Sequence, residues 1–126
     1  MSQFIVALAH VLLGGGFVIF GIRNWLHNVP RLSGILSVRN FPQPQAVVRF
    51  GIGLQTLGGL LTLLGILVPA AGVAGGAIMI VFLVLATVLF HPMWQFSGSE
   101  RMPHTAATLI NSALCGAFLL VIAQGL

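Results

Sequence analysis

Between Phe4 and Ile122 the chain passes through four apolar stretches, at about residues 4–22, 47–67, 70–90 and 105–122, and its five arginines and single glutamate lie between them or at their edges. Each stretch matches the roughly 20 residues that a helix needs to cross hydrocarbon. With no water there to bond exposed backbone, such segments can fold only by satisfying their own N–H and C=O groups. A soluble fold is excluded from the other direction. Only 5% of the residues are charged and 58% are hydrophobic, whereas a soluble domain carries about 25% charged residues and needs them for its surface. The expectation is an all-α integral membrane protein: an antiparallel four-helix bundle with a long first loop, one domain over residues 1–126, surrounded by the lipid bilayer.

The start, MSQFIVALAH, lacks the basic opening of a secretory signal, and the first stretch ends in GIRNW without a small-residue cleavage site. It reads as a retained helix. Gly14, Gly15 and Gly16 in its middle would let a second backbone approach. His10 reads as a neutral imidazole bonded to a neighbouring helix, with a proton relay or a ligand contact as the alternative. The connection 23–46 carries Arg23, Arg31 and Arg39, and Arg49 follows inside the next helix. Within it Leu32, Ile35 and Leu36 recur at helical spacing, which predicts a short interfacial segment between Pro30 and Phe41. Such a connection is a lid or a brace. Pro69 marks a tight turn joining the second and third stretches as a hairpin, and Gly72 with Gly76 forms a GxxxG pair.

All five arginines fall on the side of the two longer connections. Short arginine-bearing loops stay cytoplasmic, so both termini are predicted outside, with connections 23–46 and 91–104 in the cytoplasm. The net charge of +4 comes from these loops and forms no basic stripe; it points to lipid headgroups and not to nucleic acid. Cys115, the single cysteine, lies in an apolar run as a packing residue.

An uncharged amide in hydrocarbon needs a partner, so the buried polar residues are the functional question. At about 1.5 Å per residue, Gln55, Asn111 and Thr87 lie at moderate depths measured from the loop side. Asn24, His27, Arg49, His91, Trp94 and His104 ring that same side. This predicts a cleft that opens towards the loops and narrows to Gln55, with Gln55, Asn111, His91, Arg49, Asn24 and Trp94 as candidate ligand contacts. The plainer alternative makes Gln55 and Asn111 each other's partners as helix glue, His91 a helix cap, and Trp25 and Trp94 interfacial anchors. His10, His27, His91 and His104 show no i,i+4 pair and no nearby carboxylate, so no metal or haem is predicted. No nucleophile stands with a base and an acid, so no catalytic residue is assigned.

The succession FGIRNW, FPQP, LQTLGGLLTLLGIL, ATVLFHPMW and LINSALCGAFLL resembles the DoxX family of small bacterial membrane proteins, with Phe90, His91, Trp94 and Asn111 as the most telling positions. The resemblance covers nearly the whole chain. It implies a four-helix bundle in the bacterial inner membrane, linked to quinone-dependent oxidation of sulfur compounds or thiols. In many members the second helix carries Glu at the place of Gln55, and the first helix often ends with Lys near the place of Asn24. Both departures remove charge. The expectation is therefore a quinone-binding or redox-associated subunit, with quinone as its cofactor and a membrane or soluble redox partner, possible also as a homo-oligomer. Two other classes fit the residues: a small transporter of neutral solutes, or a non-catalytic membrane assembly subunit. The pattern of four-helix multidrug exporters, built on a carboxylate in the first membrane helix, is not met.

Overall fold

The computed structural model describes residues 2–126. Four helical segments are long and apolar enough to span a membrane: Gln3–His27, Pro44–Leu64, Pro69–Gln95 and Gly98–Gly125. They pack as a bundle in which chain neighbours run antiparallel, the second helix lying between the first and third, and the third between the second and fourth. The bundle closes where Phe17 of the first helix meets Phe82 edge-on at 6.3 Å and Phe118 of the fourth helix at 5.7 Å. Phe4, Leu12, Ile19, Phe50, Leu109 and Leu119 point outward and stay exposed, the surface that contact with lipid tails requires.

Helix ends follow local chemistry. Pro44 and Pro69 stand in the first turns of the second and third helices, where a missing N–H leaves nothing unpaired. The third α-helix proper stops at Phe90, before His91 and Pro92, because a residue preceding proline is pushed out of helical geometry. Between the second and third helices residues 65–68 form the expected tight turn. The first helix is not α-helical throughout. Val11–Gly15 winds as a π-helix directly after His10, at the glycines where helix propensity is weakest.

Three expectations are corrected. The first span does not stop near residue 22 but continues as helix to His27, since an arginine at the membrane surface does not end a helix. The connection 23–46 is therefore mostly helical. After a bend at Asn28 it forms the ten-residue helix Val29–Val38, which lies across the bundle as a roof. Its amphipathic spacing is real, but Leu36 is fully buried against Val48 and Ile52 and so faces protein; of the three spaced residues only Ile35 is exposed. Lastly, the glycines do not act as groups. Only Gly14 of the triplet meets another backbone, where an added Cβ would lie 2.7 Å from the Gly59 carbonyl, while Gly15 and Gly16 face open space. Gly72 likewise faces the hairpin's own Gly65, and Gly76 faces Phe118 and Ile122 of the fourth helix.

The core accordingly divides. One cluster, Met79, Leu83, Phe118 and Val121, joins the third and fourth helices to Leu13 and Phe17 of the first. The other, Leu36, Val48 and Ile52, fixes the roof helix onto the start of the second helix. The Arg39 guanidinium donates to the Leu89 carbonyl and ties the far end of the roof to the third helix.

Candidate functional site

Asn24 and Asn28 are four residues apart on the first helix, so their side chains share a face. Asn28 Nδ2 donates to Asn24 Oδ1 at 2.8 Å, and Asn24 Nδ2 donates to Gln55 Oε1 at 3.0 Å. Donation runs inward along three amides. At the inner end Gln55 is 0% exposed, and its Nε2 has no acceptor among the described residues. A buried donor left unmade costs about 1–3 kcal/mol. The hydroxyl of Ser33, on the roof helix, is also buried without a partner.

Gln55 and Asn24 line a cavity of about 400 Å³ between the roof helix and the first three spanning helices. Its walls are apolar, with Phe20, Phe50, Leu54, Phe82 and Leu85 among them. Leu32 and Ile35 contribute from the roof, and Arg31, His91 and His104 supply the polar groups nearer the loops. His91 Nδ1 lies 3.2 Å from His104 Nδ1. One of these nitrogens must carry the proton that the other accepts, so the two tautomers are linked. Phe96 stacks on His104, ring centroids 4.1 Å apart at 15°, and holds the second imidazole in place. No carboxylate lines the cavity, and Glu100, the single acid, is exposed on a 3₁₀ turn. The wall is therefore a neutral, donor-bearing surface with one cation beside it.

Of the residues expected to form the site, the structure brings together Gln55, Asn24 and His91. Asn111 is elsewhere. Its Nδ2 donates to Thr87 Oγ1 at 2.9 Å, and Thr87 in turn donates to the Leu83 carbonyl; the Gln55–Asn111 pair is not formed, and Gln55 is bonded by Asn24 instead. Arg49 and Trp94 are exposed and do not line the cavity. His91 is paired with His104 and lies just past the last helical residue. Asn28 and Arg31 are residues that sequence reasoning missed, and His104 was placed on the loop side but not among the ligand contacts. The i,i+4 spacing of Asn24 and Asn28 was the available signal for the first. For His104 it was the mirror-image pair His91-Pro92-Met93 and Met102-Pro103-His104, which brackets the second connection. Among the described residues no group of three or more His, Cys, Asp or Glu is placed to hold a metal ion.

No family model matches the chain, and no curated protein or solved structure matches it. Composition and fold together still decide the class. It is a small multi-span membrane protein.

Proposed function

We propose that this protein binds a quinone, or a lipophile of the same carbonyl-bearing kind, in the loop-side cavity, and serves as a DoxX-like redox-associated membrane subunit. The observation that carries the reading is the orphaned Gln55 Nε2. It is a buried donor in an apolar cavity, and a quinone is an apolar ring whose carbonyls accept and do not donate. A volume of about 400 Å³ falls in the range of about 300–1,000 Å³ typical of small-molecule sites. Gln55 would hold one carbonyl, with Arg31 and the His91–His104 pair as donors for the other. The quinone itself supplies the two-electron chemistry. This chain's residues bind and orient it and keep water from it, and the electrons come from a membrane or soluble partner.

The resemblance to DoxX proteins supports this reading in a specific way. Its two departures, at Gln55 in place of Glu and near Asn24 where many members carry Lys, fall at residues whose side chains bond at 3.0 Å. The Asn24–Gln55 pair is neutral and offers hydrogen bonds but no proton to a bound carbonyl. The arginine bias supports a cavity on the cytoplasmic side of a bacterial inner membrane.

Native mass spectrometry of protein extracted gently from its own membrane tests the reading. The expected result is a retained quinone whose affinity falls about tenfold in Gln55→Leu, the weight of one good hydrogen bond, with the bundle still folded. Equal retention by the folded variant would sink the assignment. A stoichiometric protein partner with no small molecule would make the chain an assembly subunit instead.

A further inference from the structure

A second cavity, of about 460 Å³, lies at the opposite end of the bundle, between the start of the first helix, the hairpin turn and the end of the fourth helix. Val6, Ile66 and Val121 form apolar walls, and Gln3, His10 and Gln124 bring side-chain polar groups. His10 is only 4% exposed. Its Nδ1 lies 2.8 Å from the Val6 carbonyl of its own helix. A carbonyl only accepts, so Nδ1 carries the hydrogen, and in the neutral ring Nε2 is a bare lone pair. The expected bond to a neighbouring helix is not made, and among the described residues nothing donates to Nε2.

Two further features bear on that nitrogen. A Cβ built on Gly72 would stand 3.5 Å from Nε2, an ordinary contact distance, so on that side the ring lies against the glycine backbone of the third helix. The π-helical turn Val11–Gly15 begins at the next residue, and such turns frequently accompany functional sites. The lining also restricts the ligand's chemistry. It contains no carboxylate to balance a cation, and an acceptor cannot bind a carbonyl. What remains is a neutral donor.

We infer that this cavity binds a neutral molecule through a hydroxyl group that donates to His10 Nε2, with the Gln3 and Gln124 amides near it. The hydroxyl belongs either to a small phenol-type molecule or to a lipid headgroup. The site is independent of the loop-side reading and opposite to it in polarity: there a donor lacks an acceptor, here an acceptor lacks a donor.

The test is the ¹⁵N resonance of His10 Nε2 in phosphatidylcholine nanodiscs at one fixed pH, titrated with phenol and with toluene. Phenol should produce a saturable shift, with toluene at least about tenfold weaker, the discrimination expected of one buried hydrogen bond. Replacing part of the lipid with a monoglucosyl diacylglycerol, a neutral lipid that carries free hydroxyls, separates the two sources: a shift caused by that lipid alone assigns the site to a headgroup. No saturable shift with either hydroxyl source would overturn the inference, as would a toluene response equal to that of phenol. In His10→Phe, phenol affinity read from Ile66 methyl shifts should fall by a similar factor; unchanged affinity in the folded variant also overturns it. The wild-type titration stands alone should that variant fail to fold.

Discussion

Thr62 and Gln55 stand about two turns apart on one helix, both 0% exposed, and the bundle treats them in opposite ways. Thr62 closes on itself: its hydroxyl donates to the Gly58 carbonyl at 2.8 Å. Gln55 is too long to do so and reaches across to Asn24, leaving Nε2 over. The backbone around each differs in the same sense. Beside Thr62 the helices touch through glycine, and a Cβ on Gly75 would fall 2.5 Å from the Thr62 backbone nitrogen. One turn from Gln55, on the loop side, Gly51 has open space in front of it and lines the cavity. A polar residue that its own helix can satisfy belongs to tight packing. One that must look elsewhere marks where the packing has been opened.

One substitution made in both halves gives the sharpest break. Gly75→Ala forces the second and third helices apart against backbone and should destabilise the bundle by up to about 3 kcal/mol, seen as an earlier thermal unfolding transition in detergent. Wild-type stability for this variant would remove the distinction between the halves. An intermediate effect is expected from Asn24→Leu. It strands the carbonyl end of Gln55 as well as its amide and should cost about 1 kcal/mol, with part of the loss recovered when Gln55→Leu is added. A strictly additive double-mutant cycle would mean that the Asn24–Gln55 bond has no energetic weight. The smallest effect has the opposite sign. Gly51→Ala adds a methyl into open space and reduces the freedom of the unfolded chain, so it should stabilise by about 0.5 kcal/mol; any clear loss of stability would show that the loop-side half is packed more tightly than its cavity implies.

Much of this architecture is legible in the order of residues. Four apolar stretches, a proline-marked hairpin and the helical spacing of Leu32, Ile35 and Leu36 together specify the bundle and its short fifth helix, because membrane spans and amphipathic faces are local properties. The polar network is legible only in part. Depth along the membrane is fixed by counting residues, so Gln55, Asn24 and His91 were placed at the correct end. Rotation about each helix axis is not fixed by counting. Gln55 and Asn111 lie at compatible depths yet face different partners, Asn24 and Thr87, and which amide meets which depends on packing of the apolar faces around them. Arg49 shows the same limit: it sits at the right depth, but it is exposed, and Arg31 takes the place beside the cavity because the roof helix folds over it.

The π-helical turn at Val11–Gly15 gives the first helix a property that no side chain on it possesses. A turn that takes up one surplus residue sets everything after it about 100° behind its place in an unbroken α-helix of the same length, so the turn works as a fixed phase offset between the two ends of a single rod. His10 lies before the offset and Asn24 after it. Loss of a single glycine from this stretch would regularise the helix and leave Asn24 facing Gln55, whereas regularising it at unchanged length would rotate Asn24 away. The winding of this segment, and not only its residue count, therefore aligns the two ends of the helix with each other.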